Sequence, residues 1–409
     1  MRIIDVLRNY CLSYIFLVLV SALLVTPAQS TTSADVAVAF SGQIAGDTAS
    51  TRFFMDFDKS VSVKTFYMDH PNRIIIDFDE ASFNFGEDSR PKPRGLITAI
   101  QFGRISEGHS RIVLTLAAPS EIIKASMQQR LDEETYRFLL DIDSTDEQTY
   151  AKLLEQQRQT IGDTVQPGIK EKKLTPAIKN PNRFLIVLDP GHGGIDSGAV
   201  GRKGTLEKEV VLSFAKSLKA KIAENGPFDV KMTRSDDTFL SLRQRLDYTK
   251  ASKADLFISI HADSVRQRFV RGSTIYTLSK RASDKFSEQL AEQENQADLV
   301  AGVSLKEESA GINDILSDLT ARETKRFSKR FSGLVVENMK SEIRLIKNPQ
   351  RSAAFAVLKA PDVPSVLIEL GYLSNTEDEK LLRSKEWRNK TANAITQAVS
   401  DFFKPRIIQ

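Results

Sequence analysis

The sequence predicts an α/β domain with a mostly parallel, twisted sheet flanked by helices, preceded by a small all-β sandwich. Three observations carry that expectation. Continuous apolar runs at Phe184–Leu188 and Leu256–Ile260 read as strands buried on both faces, the mark of a parallel sheet. Helical spacing follows the first of them, with Val211, Phe214, Leu218 and Ile222 on one face. Before residue 144 the pattern is different: short β-branched and aromatic runs separated by turn signals, with no helix-length pattern between them.

Taken in order, residues 1–30 have the layout of a secretory signal peptide. Arg2 and Arg8 precede the apolar run Cys11–Val25, and Pro27 introduces Ala28-Gln29-Ser30, a small-x-small cleavage pattern. The run falls short of the ~20 residues that a membrane-spanning helix needs. Cys11 sits at the start of the run, the wrong place for a lipoprotein acceptor, and it is the chain's single cysteine. Cleavage therefore leaves an exported protein with no membrane span and no disulfide.

Residues 31–143 form the expected sandwich. Its strands are Arg52–Phe57, Val61–Met68, Arg73–Phe78, Ile97–Phe102, Ser110–Leu116 and Thr135–Ile142, with turns at His70-Pro71-Asn72 and Ala118-Pro119-Ser120. Apolar positions in Arg73–Asp79 read as one buried face beside a solvated edge. His70 and His109 fall in turns and read as surface residues. Residues 144–182, rich in Gln, Glu, Lys and Thr and carrying Pro167, Pro176 and Pro181, read as a linker with a helical turn around Tyr150–Gln159.

Residues 183–409 carry the α/β pattern. Strands are expected at Asp229–Met232, Ser273–Leu278 and Ser365–Leu370, and helices at Leu242–Ala251 and Trp387–Phe403. A mainly helical insertion, about 281–344, interrupts the series.

Composition narrows the function. Lys and Arg number 57 against 53 Asp and Glu, a net charge of +4, too balanced for a dedicated nucleic-acid binder. One cysteine excludes Cys-based zinc and iron–sulfur sites, and four histidines leave any metal site a short choice of ligands.

In α/β sheets, sites gather at the carboxyl ends of strands. Three such ends carry residues able to bind metal: Asp189-Pro190-Gly191-His192-Gly193-Gly194, Ser259-Ile260-His261-Ala262-Asp263, and Val366-Leu367-Ile368-Glu369-Leu370-Gly371. Glu207 opens the helix after the first strand. Two neutral imidazoles and a carboxylate suit a catalytic zinc ion with a fourth position for water, and a further buried carboxylate could take that water's proton. Singly, each motif also reads as a Gly-rich phosphate loop, a satisfied core histidine or a buried structural carboxylate. Together they favour a metal site.

The segments Leu188–Ala199, Glu207, Phe257–Ala262 and Leu367–Asn375 resemble, in the same order, the zinc-dependent N-acetylmuramoyl-L-alanine amidases of the amidase_3 type. The likeness covers about Phe184 to Phe403. Val36–Asp143 is similar, more weakly, to the AMIN domain that precedes the catalytic domain in periplasmic cell-division members. The resemblance implies that His192, Glu207 and His261 bind one zinc ion and that Glu369 is the catalytic carboxylate. Asp189 is the candidate to orient His192, or else a turn cap. Arg245 falls where the family places an arginine, with no role beyond a structural ion pair. The family follows its second histidine with Ala-Asn, whereas this chain has Ala262-Asp263, which brings a negative charge near the metal in place of an amide donor.

The resemblance also implies control. Cell-division amidases carry a helical insertion over the zinc cleft, and a carboxylate from it can take the open coordination position. Glu294 is the candidate here, with Glu292 second. The stripe Ile312, Ile315, Leu316 and Leu319 would then dock a LytM-domain-type activator. The implied whole is a monomeric, autoinhibited periplasmic peptidoglycan hydrolase that splits the septal wall and separates daughter cells. The rivals are a non-catalytic wall-binding protein of the same fold, and another cell-wall zinc hydrolase, a deacetylase or carboxypeptidase.

Overall fold

The computed structural model describes residues 36–407 apart from 87, 107, 132–133, 162–173 and 302–314. The expected signal segment and its cysteine lie outside the described residues. Among those described, no helix is long and apolar enough to cross a membrane.

The N-terminal part is a sandwich of two sheets, built from β1 (Ala37–Gly46), β2 (Ser50–Phe57), β3 (Val63–Met68), β4 (Arg73–Asp79), β5 (Ala81–Phe83), β6 (Ile97–Ser106), β7 (His109–Leu116), β8 (Ser120–Gln129) and β9 (Tyr136–Ser144). One sheet has the order β5-β1-β2-β9-β8 and the other β3-β4-β7-β6. Phe53, Met55, Phe57, Ile74, Ile76, Phe78, Ile112, Leu114, Phe138 and Leu140 interdigitate between them. The sequence anticipated six of these strands. It missed β1 and β8, whose Ser, Gln, Gly and Lys content weakens the strand signal, and the three-residue β5.

Strand β4 also corrects an expectation. Ile74, Ile75 and Ile76 are all fully buried, because the face carrying Ile75 is not solvated. It packs with Phe66, Ile105 and Val113 against Ile195, Phe239 and Ala301 of the C-terminal domain. A strand buried on both faces has no reason to alternate, which is why three isoleucines stand in a row. After β9, helix α1 (Glu147–Ile161) returns along the sandwich, where Tyr150 Oη donates to the Met68 carbonyl at 3.0 Å.

The C-terminal domain has a sheet in the order β11-β10-β12-β15-β13-β14, from β10 (Phe184–Pro190), β11 (Phe228–Met232), β12 (Leu256–His261), β13 (Ser273–Leu278), β14 (Leu345–Ala353) and β15 (Ser365–Glu369). Every neighbouring pair is parallel except β13 with β15. Helices α2 (Glu207–Glu224), α6 (Ile315–Met339) and α8 (Lys385–Ile407) cover one face through Phe214, Phe331, Val335 and Phe402. The other face packs Val187, Phe257, Tyr276 and Leu367 against α3 (Leu242–Ala251) and α4 (Lys285–Asn295). The short helices α5 (Ala297–Val300) and α7 (Thr376–Arg383) complete the domain.

The expected insertion is thereby redrawn. Strand β14, unread in a run of Lys, Asn, Gln and Arg, forms a sheet edge, and the second half of α6 is core: Phe331, Val335 and Met339 are fully buried. Glu294 of α4 reaches the cluster at the strand ends. Of the apolar stripe, Ile312 lies outside the described residues; Ile315, Leu316 and Leu319 fall in α6, but the placement of their side chains does too.

Candidate metal centre

The site is assembled at the carboxyl ends of β10, β12 and β15. Parallel pairing sets His261 directly across from Glu369, so both side chains leave the sheet at the same level. His192 stands two residues beyond β10 in a left-handed backbone conformation, φ 56°, which non-glycine residues adopt only under compulsion from their surroundings. Gly191 beside it is a close-approach glycine, since a Cβ there would lie 2.4 Å from His261 Cε1. The two imidazole rings therefore meet edge to face at 4.9 Å between centroids.

Glu207 is the first residue of α2, where the helix dipole favours an acid. Its oxygens do not cap its own helix. Oε2 accepts from the Ala199 amide at 2.8 Å and Oε1 from the Ala262 amide at 2.7 Å. That clamp sets Oε2 3.3 Å from His192 Nε2 and Oε1 3.3 Å from His261 Nδ1. Glu294, near the end of α4, reaches the same point from the opposite side, with Oε2 3.0 Å from His261 Nδ1 and 3.7 Å from His192 Nε2. Glu292 is exposed and does not approach.

These groups fit a metal ion. Ligand atoms of His192, His261 and Glu294 lie within 4.8 Å of one another, and all three residues are buried. His192 Nε2 and His261 Nδ1 are buried polar atoms without a hydrogen-bond partner, as is Glu369 Oε1. Burial opposes protonation of His192, but Asp196, Glu207 and Glu294 outweigh it and raise its pKa well above the ordinary value. Burial likewise opposes protonation of His261, and Glu294 and Glu207 reverse it. Two unsatisfied imidazole nitrogens in a surplus of carboxylate charge are a demand for a cation, and the N/O donor set suits zinc.

Around the cluster the structure departs from the sequence reading at Asp189. Asp189 does not orient His192. Its Oδ1 accepts from Thr233 Oγ1 at 2.6 Å and from Arg245 Nη1 at 2.7 Å, and its Oδ2 accepts from Ser259 at 2.9 Å. Burial penalises that carboxylate, yet Arg245 and Thr233 win and hold its pKa below the usual value. The residue on His192 Nδ1 is Asp196, at 2.8 Å, a partner the sequence reading missed although the i, i+4 spacing with the histidine was visible. Arg245 also donates to the Pro190 carbonyl at 3.0 Å and the His192 carbonyl at 2.8 Å, so the expected ion pair braces the whole turn.

Asp263, where the resemblance would place an Asn, is buried at the same strand end. Burial, reinforced by Glu294, Glu207 and Glu369, pushes its pKa well above the ordinary carboxyl range. Asp263 Oδ1 accepts from Gln293 Nε2 of α4 at 2.7 Å, and its amide donates to Glu369 Oε2 at 3.1 Å. Burial likewise pushes Glu369 up to about 8, against the pull of His261 and with Glu207 and Glu294 adding to the rise. His70 is exposed, and His109 pairs with Asp79 at 2.9 Å, far from any such cluster.

Comparisons with known proteins find relatives of both domains. Residues 186–401 match the N-acetylmuramoyl-L-alanine amidase family and residues 43–141 match the AMIN domain. The N-acetylmuramoyl-L-alanine amidase AmiA of Escherichia coli (strain K12) is 40% identical over 228 residues, covering 56% of this chain and 78% of its own. AmiC of Escherichia coli O6:H1, another such amidase, is 30% identical over 365 residues, 86% of each chain. Among solved structures, the amidase AmiC2 of Nostoc punctiforme covers 54% of this chain and 97% of its own at 28% identity, with a TM-score of 0.39. Matched to the family over residues 186–401, with an AMIN domain ahead and a relative covered over 86% of its length, this chain belongs to the N-acetylmuramoyl-L-alanine amidase family.

Proposed function

We propose that the chain hydrolyses the amide bond between N-acetylmuramic acid and L-alanine in peptidoglycan, with one zinc ion held by His192, Glu207 and His261. The observation that carries this reading is the meeting of two unpartnered imidazole nitrogens with the clamped Glu207 carboxylate, beside the unpartnered Glu369 Oε1. Zinc bound there supplies Lewis acidity for the amide carbonyl and lowers the pKa of a bound water toward neutrality.

The protein's own groups do the rest. Glu369 Oε1 is free to accept the proton of the attacking water and to return it to the L-alanine nitrogen as the C–N bond breaks, so glycan lactyl carboxylate and free stem peptide are the products. Asp196 fixes the ring of His192 so that Nε2 faces the cluster. The buried pair of Asp189 and Arg245 holds the turn on which His192 stands.

The same geometry supports autoinhibition. Glu294 sits where a substrate carbonyl must enter, and Gln293 ties the same helix turn to Asp263. An activator of the LytM-domain kind would draw α4 away. The leader at residues 1–30 and the AMIN domain favour a place in the periplasm at the dividing septum.

The decisive experiment measures zinc content and digests purified sacculi, with mass spectrometry of the products. Free stem peptides with an L-alanine amino terminus, made by protein carrying stoichiometric zinc, are the expected outcome. Released acetate or shortened stems would assign the site to a deacetylase or carboxypeptidase, and zinc-free protein without products would leave only a wall-binding role.

A further inference from the structure

The inhibitory helix is fastened at its far end to the sandwich. Helix α4 carries Glu294 to the metal cluster, α5 follows at Ala297–Val300, and the chain then reaches Ala301, which is fully buried. Carbonyls at the end of a helix have no partner within it. Here two arginines of the sandwich supply one. Arg111 Nη1 donates to the Ala301 carbonyl at 2.7 Å, and Arg73 Nη1 donates to the Leu299 carbonyl. Arg111 is fully buried and aimed by Asp77, which accepts from its Nε at 2.5 Å and its Nη2 at 2.8 Å. Ala301 itself packs among Phe66, Ile75, Ile105 and Val113 of the sandwich.

The sandwich also grips the opposite lip of the cleft. The Arg104 carbonyl accepts from the Ile195 amide at 3.1 Å, three residues beyond His192. Arg104 Nη2 donates to Thr238 Oγ1 at 2.8 Å. Backbone meets backbone at this seam, since a Cβ on Gly103 would lie 2.6 Å from Ile195 Cα. One rigid sheet thus touches both the segment that carries Glu294 and the loop that carries His192.

We infer that the AMIN domain is the catch of the inhibitory helix: docked as here, it holds α4–α5 over the metal cluster, and its displacement releases them. This rests on Glu294 being inhibitory. The geometry makes the link mechanical. Upstream of α4 the chain is tied to β14 through Ser283, whose amide donates to the Ser352 carbonyl at 2.8 Å, and downstream it is tied to the sandwich at Ala301. Glu294 lies between the two ties, so lifting it far enough to admit a substrate strains the arginine–carbonyl contacts. A pull on the sandwich, such as its binding to the glycan, acts on the same contacts from the other side. The two equilibria are then reciprocally coupled.

Two variants of the full chain test this. Gly103→Leu wedges the seam without touching a residue of the metal cluster, and Arg73→Met removes the donor while keeping the stem. Each is expected to speed amide hydrogen exchange across residues 285–300 by about ten-fold and to raise basal sacculus hydrolysis by about five-fold or more. Neither should increase hydrolysis further when added to Glu294→Gln. Parent-like exchange and parent-like basal rates in a folded Arg73→Met, with Glu294→Gln itself activating, overturn the catch. Failure of Glu294→Gln to activate overturns the inhibitory reading instead. Should Gly103→Leu fail to fold, Gly103→Ser and Arg73→Met decide by the same readouts.

Discussion

His261 and Glu369 face each other across neighbouring parallel strands, paired in register at the ends of β12 and β15. One side chain presents an unpartnered nitrogen to the metal cluster and the other an unpartnered carboxylate oxygen beside it. The backbone ladder, rather than a flexible loop, therefore sets the distance between the proposed ligand and the proposed proton acceptor.

Glu369→Gln should lose at least about 10²-fold in hydrolysis, the usual worth of a positioned acid–base group. Zinc content should stay at the parent level, because Gln keeps the shape and Glu369 is not among the three proposed ligands. Product release from sacculi and metal analysis of the same preparation check both halves.

His192→Ala should abolish stoichiometric zinc and hydrolysis together. In the parent, zinc at about a hundred times its dissociation constant should stabilise the fold by about 2.7 kcal/mol, and this increment should vanish in the variant. Thermal melts with and without added zinc measure it.

Asp196→Ala removes the acceptor on His192 Nδ1 at 2.8 Å. Loss of such a partner weakens metal binding by about 10–100-fold. A competition titration against a chelator of known affinity reads the change directly, and parent-like affinity would remove Asp196 from this role.

Asp189→Ala leaves the buried Arg245 guanidinium without its carboxylate, a kind of loss that costs about 3–5 kcal/mol. Urea unfolding should show it.

Deleting Ser283–Arg330, the simplest way to remove the inhibitory stretch on sequence grounds, should destabilise the protein rather than only activate it. The cut takes Phe327, packed on the main core, and Ser328, whose hydroxyl accepts from the Ser365 amide at 2.9 Å. Circular dichroism melts of the deletion beside Glu294→Gln separate the two effects.

The α/β order and the strand-end residues His192, His261 and Glu369 were legible because each stands at or just past the end of a strand whose apolar run is unbroken. Strand β14 was not, since it is an edge strand whose Lys347, Asn348 and Gln350 are exposed. Asp196 was hidden because a carboxylate in a Gly-rich turn looks like turn chemistry until the ring it touches is seen. Asp189 misled for the converse reason: adjacency in sequence to His192 says nothing of direction, and its strand aims it at Arg245 and Ser259. The isoleucine triplet at 74–76 carried the clearest unread signal, a second buried face with the other domain as its cover.

Glu207 receives amides from two distant stretches of chain, at Ala199 and Ala262, before any ion is considered. Its posture is therefore inherited from the fold and not from the cation. With zinc held as proposed, an enzyme built this way would be emptied and refilled like a socket: scarcity of the ion would silence it without dismantling it, and supply would restore it at the pace of diffusion and ligand exchange.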